Sequence, residues 1–264
     1  MAFAQASRRP IEGAVATLGV SDRVTFLRKT YAHLGVSLLL FAGLTGAMFK
    51  FAPQLTWKLS TMFGTGIVSM LILCAVLIFL MMGAERLAAH STSRGLQYAG
   101  LGLGIALQTF MLMPLIWILM LKFSSFSAAD AMAIRAGVMV PVLNGVAAEI
   151  LLQATVITLV IFVGLTGVVF VTKKDFSFMR GALVVGSFAM MGVGLAAILF
   201  GFSLGALFSG FVVLLMAGWI LYETSAIMKS YPPTAHVVAA LVLFVTVATM
   251  FRAILRIMIS LRSD

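Results

Sequence analysis

The chain has 264 residues, 62% hydrophobic and 10% charged, with mean hydropathy +1.15 and a formal net charge of +10. A soluble domain carries about 25% charged residues, so this composition excludes a water-facing globule and leaves a multi-span membrane protein. The apolar blocks are continuous and helix-length, which excludes a barrel of alternating strands; the basic residues sit in short segments between blocks, which points to membrane topology and anionic lipid and away from nucleic acid.

The first thirty residues are polar and basic, include Arg8 and Arg9, and lack the short apolar core of a cleaved signal peptide. They read as a cytosolic N-terminal arm. Seven apolar segments of about 20 residues or a little more follow, near Tyr31–Phe51, Phe63–Gly83, Tyr98–Met120, Ala148–Val171, Gly181–Gly201, Gly205–Met228 and Ala235–Met258. Residues 31–258 therefore read as seven spans of one membrane domain that takes in the whole of 1–264. The stretch Lys122–Ala147 is less apolar and holds Asp130, Arg135 and Pro141. It reads as an outer loop with a short amphipathic helix, because an eighth span would bury both charges. Eleven Lys and Arg fall in segments on the side of the N-terminus, against Lys50, Lys58, Lys122 and Arg135 in the opposite loops. That imbalance predicts a cytoplasmic N-terminus. The last span and tail hold Arg252, Arg256 and Arg262, and a re-entrant final segment is the alternative to a seventh crossing.

Glycines concentrate within the spans, as at Gly100, Gly102 and Gly104, where small residues let helix backbones approach closely. Pro114 predicts a kink in the third span. The single cysteine, Cys74, lies in a span, so no intrachain disulfide can form.

Soluble-enzyme motifs are absent. There is no P-loop, no HExxH and no CxxC, and no aspartate lies inside a span. His33, His90 and His236 are scattered at span ends at the wrong spacing for a metal site. The chain reads as a non-enzyme with no metal and no cofactor. Among the acids, Glu223 stands out as the one well inside an apolar stretch. A charge at bilayer depth costs roughly 2.5–3.5 kcal/mol on insertion scales, so such a group usually faces a cavity, a partner or an ion path. Tyr222, Thr224 and Ser225 flank it. Glu223 lies roughly 7–8 Å along its helix from Met228, and Thr246 lies about 15 Å past His236. Both fall in the same half of the bundle. A carboxylate withdrawn from water favours its neutral form unless a cation or several donors face it, and such a group can gate by protonation. The alternative is a hydrogen-bonded structural glutamate near the interface. Arg252 and Arg256 share one helical face; pairing with Glu149 is expected for one and snorkelling to the headgroups for the other. Gln108, before Pro114, is expected to bond a neighbouring helix rather than line a cavity.

Four stretches together carry a resemblance. Phe26-Leu27-Arg28-Lys29-Thr30-Tyr31, Thr172-Lys173-Lys174-Asp175-Phe176-Ser177-Phe178, Ile220-Leu221-Tyr222-Glu223-Thr224 and the last span from Leu241 to Met258 resemble, in order, four signature segments of the Bax inhibitor-1 family (also called TMBIM), including its bacterial YccA-like and YetJ-like branches. The resemblance implies an all-α integral membrane protein, a seven-helix bundle with the last helix central. It also implies a sensor. In the family, a pair of aspartates on helices six and seven shares a proton and controls a calcium leak. Glu223 stands at the first position, Thr246 at the second, and Thr249 where the family has asparagine. Two carboxylates in contact cannot easily both ionise, and this pair is reduced to one acid. The implied function is a pH-responsive cation leak in the cell or inner membrane, with calcium or protons as partners, and with Glu223, Thr246 and Tyr222 as gating residues. The alternative is a non-transporting stress modulator whose basic arm meets a membrane-bound AAA protease.

Overall fold

The computed structural model describes residues 19–64, 66–90, 93–123, 127–136, 142–143 and 145–262, and all regular structure among them is helical. The arm around Arg8 and Arg9, and Pro141, lie outside the described residues. The helices are α1 (Val20–Phe51), α2 (Pro53–Thr61), α3 (Ile67–Ala88), α4 (Arg94–Phe123), α5 (Ala128–Arg135), α6 (Gly145–Thr172), α7 (Arg180–Phe200), α8 (Ala206–Lys229) and α9 (His236–Leu261). Seven of them are long and apolar enough to cross a membrane, all but α2 and α5.

Local chemistry explains the ends. Helix α1 begins eleven residues before Tyr31, because Phe26, Thr30, Leu34 and Ser37 form a buried stripe at helical spacing while Arg28 and Lys29 stay exposed. Asp22 in its first turn complements the helix dipole. Pro53 opens α2 at a position whose N–H needs no partner. Helix α7 stops at Gly201 in the left-handed conformation (φ 72°). Helix α4 runs unbroken through Pro114.

Helix α9 is the core. It touches α1, α3, α4, α6 and α8. Leu241, Leu243, Phe244, Met250 and Leu255 are fully enclosed, and Ala239, Ala240 and Ala248 let neighbouring backbones come close. It is one continuous helix of 26 residues, about 39 Å long. It therefore crosses the bundle, and the re-entrant alternative gives way. The short α2 is a helix the sequence did not announce. It lies across the end of α4, where Thr56 receives the indole N–H of Trp117 at 3.2 Å and Trp57 packs edge-on to the same ring. The expected short helix between Lys122 and Ala147 is α5.

The glycines of α4 divide cleanly. A Cβ on Gly100 would sit 2.4 Å from the Ala88 nitrogen and 2.5 Å from the Ala84 carbonyl, so α3 and α4 meet backbone to backbone there. Gly102 faces open space. That close approach fixes the last turn of α3, which carries Glu85.

Candidate functional site

Glu223 sits on α8, one turn and a half before its end, and is 6% exposed. Its flanking residues Thr224 and Ser225 are also buried, as is Thr246 on α9. The Thr246 hydroxyl lies 2.9 and 3.0 Å from the two carboxylate oxygens of Glu223 and 3.1 Å from the Val242 carbonyl. The sequence placed these two side chains in the same half of the bundle; the structure puts them in contact across the α8–α9 seam. One hydroxyl proton faces three acceptors. If the carboxyl is neutral, its own O–H donates to Thr246 Oγ, and the threonine proton is free for Val242. Every group is then satisfied. If it is ionised, one acceptor loses its donor inside an apolar bundle, which costs about 1–3 kcal/mol.

Glu223 is not the sole acid in a span. Helix α3 continues past Gly83 to Ala88, so Glu85 lies within it. Both acids act on Tyr231, in the turn between α8 and α9. Burial pushes the Tyr231 hydroxyl up to about 12, and Glu223, Tyr222 and Glu85 push it the same way. The signal for Glu85 was present in the sequence: Leu87, Ala88 and Ala89 continue the apolar run beyond the charged pair Glu85-Arg86. Tyr222 itself turns toward Trp219 (ring centroids 5.6 Å) rather than to the carboxylate. The buried hydroxyls of Tyr31 on α1, Thr166 on α6 and Thr224 on α8 come together as a cluster of neighbours.

The turn that follows α6 is latched to this end of α8. The Phe176 N–H donates to Ser225 Oγ at 3.2 Å, and Lys229 pairs with Asp175 at 3.5 Å. Asp175 also accepts from the Ser177 hydroxyl and backbone N–H. The Ser177 bonds, with Lys229 beside them, hold the Asp175 carboxyl below its ordinary range. At the same end, His33 and His236 meet edge to face with ring centroids 5.2 Å apart, and His33 Nε2 lies 3.1 Å from the Tyr98 hydroxyl. Spacing in the sequence gave no hint of this pairing, since the two histidines are joined only through the packing of α1 on α9. Among the described residues no group of three or more metal-ligating side chains is assembled.

The basic residues of α9 sort differently from expectation. Glu149, at the start of α6, pairs with Arg262 at 3.5 Å, and Gln153 beside it takes a second N–H of Arg262 at 3.2 Å. Neither Arg252 nor Arg256 pairs with Glu149, because Arg262, one residue past the end of α9, is level with the start of α6. Arg252 instead donates to Gln108 Oε1 on α4 and to Thr249 Oγ at 3.0 Å. Gln108 does bond a neighbouring helix, as its sequence position suggested. Arg256 stays exposed.

The family profile described as "Inhibitor of apoptosis-promoting Bax1" matches residues 125–263. The chain is similar to "Bax inhibitor 1" of Schizosaccharomyces pombe, 33% identical over 44% of this chain and 45% of that protein. It is similar to "BI1-like protein" of Arabidopsis thaliana, 32% identical over 42% and 45% respectively. A third relative is "Protein lifeguard 4" of Mus musculus, 27% identical over 40% and 45%. The matched segments thus span a little under half the length of these relatives. No solved structure matches the chain.

Proposed function

Because the chain belongs to the Bax inhibitor-1 family, we propose that it is a pH-responsive cation leak whose gate is the contact between Glu223 on α8 and Thr246 on α9. The observation that carries this reading is the buried carboxylate whose two oxygens both lie within 3.0 Å of one threonine hydroxyl. A neutral Glu223 completes a chain of hydrogen bonds through Thr246 to the Val242 carbonyl and holds α8 against α9. Ionisation leaves a charge in an apolar bundle, which only water or a cation can compensate. The state that admits either is favoured as pH rises. Glu85 on α3 is a second carboxylate within a span, whereas Thr246 stands on α9 where the resemblance implies an acid. Calcium takes six to eight oxygens, so a carboxylate with hydroxyls and water suits a weakly held, passing ion rather than a resident one.

The test is calcium flux into liposomes carrying purified protein, comparing the natural chain with Glu223→Gln at equal reconstitution. Loss of the flux in the variant supports the gate. An undiminished flux would sink it and turn attention to the protease-restraint alternative.

A further inference from the structure

A cleft of about 640 Å³ runs along the side of the bundle, with α1 and α6 as its walls and α4 and α9 as its floor. The floor is closed: Leu112, Ile116, Met120, Val247 and Ala248 are all buried. The rim is open: Leu39 on α1 and Leu159 on α6 are exposed. The cleft therefore opens sideways, toward the lipid around a membrane bundle. Its volume falls within the range of ligand pockets, about 300–1,000 Å³.

The lining decides what can enter. Thr45, Thr155 and Thr158 contribute hydroxyls, and each donates to a carbonyl of its own helix, those of Phe41, Leu151 and Ala154, at 2.7, 2.8 and 2.7 Å. A hydroxyl has one proton, so the wall offers no free donor. Apart from these and Lys50 the lining is apolar, and apolar cavities do not hold water. An ion would find no ligand set here. The guest that fits is apolar.

Length and charge narrow it further. From Leu38 to Lys50 the α1 wall rises twelve residues, about 18 Å. One leaflet is half of a roughly 30 Å hydrocarbon core, so the cleft is about as long as a leaflet is deep. Lys50, in the last turn of α1, is exposed at the end of that wall and is the one charged residue in the lining. Its ammonium lies 5.4 Å from the Phe51 ring centroid. Among the described residues no carboxylate pairs with it, the ion pairs being those of Lys229 and Arg262. Lysines near helix ends reach the headgroup level, and basic pockets between spans take lipid headgroups.

We propose that the cleft is a binding site for one phospholipid, with an acyl chain lying between α1 and α6 and its phosphate held by Lys50. The site does not include Glu223 or Thr246, so it stands whether or not the bundle leaks.

Gly46 supplies the test. It lines the cleft, and a Cβ there meets nothing within 4 Å, so a leucine at 46 fills the space the acyl chain would take. Gly43 also meets nothing within 4 Å but lies outside the lining, which makes Gly43→Leu the control. Native mass spectrometry counts the phospholipid kept by the purified chain from micelles holding equal phosphatidylglycerol and phosphatidylcholine. The natural chain and Gly43→Leu are expected to keep one phospholipid, with phosphatidylglycerol preferred about fivefold, the effect of one lysine on an anionic lipid. Lys50→Gln should lose the preference, and Gly46→Leu should lose the lipid. Lys50 is exposed, so its variant decides even if Gly46→Leu folds poorly. No phospholipid on the natural chain, equal retention by well-folded Gly46→Leu, or a preference that survives Lys50→Gln overturns the proposal. A dimer that Gly46→Leu breaks also overturns it, and gives the cleft to a second copy of the chain.

Discussion

Replacing Thr246 by valine keeps the shape of the side chain and removes the hydroxyl that bonds Glu223. Two carboxyl oxygens at 2.9 and 3.0 Å then face a methyl group in a site where Glu223 is only 6% exposed. Orphaning a buried polar group costs about 1–3 kcal/mol, and interhelical hydrogen bonds measured in a membrane protein average about 0.6 with a maximum near 1.7. A loss of about 1–2 kcal/mol on unfolding is therefore expected. The value of the prediction lies in its coupling. In a Glu223→Met background the acid is gone, and Thr246 retains its bond to the Val242 carbonyl at 3.1 Å. There the valine change should cost little. A double-mutant cycle by reversible unfolding in mixed micelles should give a coupling energy of about 1 kcal/mol or more. Equal costs in the two backgrounds would refute the claim that this contact joins α8 to α9.

Other predictions follow from separate parts of the fold. Gly100→Ala forces a methyl into the backbone of Ala84 and Ala88 and should destabilise the protein by about 1–3 kcal/mol, whereas Gly102→Ala, which meets nothing within 4 Å, should leave the melting temperature unchanged. The Asp175 carboxyl is held below its ordinary range, so its contribution is present above the unfolded value of about 3.9 and is lost as pH falls through the folded one. Ser177→Ala should move the Asp175 titration, followed by NMR, back up toward that ordinary value. Burial pushes the Tyr231 hydroxyl up to about 12, and Glu223, Tyr222 and Glu85 push it the same way. Glu85→Gln should lower its midpoint in a tyrosinate absorbance titration, by less than the full displacement from an ordinary tyrosine.

Span number was legible because each apolar block is long enough to cross a bilayer and the longest connection, Lys122–Ala147, is too charged to be an eighth. The central place of α9 came from the resemblance, and its alanines and leucines bear it out physically by admitting neighbours on most of its faces. The Glu223–Thr246 contact was half legible. Depth along each helix could be counted, but rotation of α8 against α9 depends on packing that a single sequence does not contain. Glu85 was missed because the span was cut at Gly83, where the first charges appear, although a helix does not end merely because it reaches the interface. The partner of Glu149 was misjudged for the opposite reason: Arg252 and Arg256 were matched by helical face alone, while Arg262, past the last apolar block, has the reach. Arg252 paired with an amide and a hydroxyl could not be foreseen, since nothing in sequence spacing links position 108 to position 252. The His33–His236 contact was hidden in the same way.

The most direct test of the central claim is the pH profile of calcium flux in liposomes, from about pH 5 to about pH 8, for the natural chain and for Glu223→Gln. The account predicts a flux that rises with pH in the natural chain and a flat, low profile in the variant. A profile that keeps its pH dependence after Glu223→Gln, or well-folded natural protein with no flux at any pH, would contradict it.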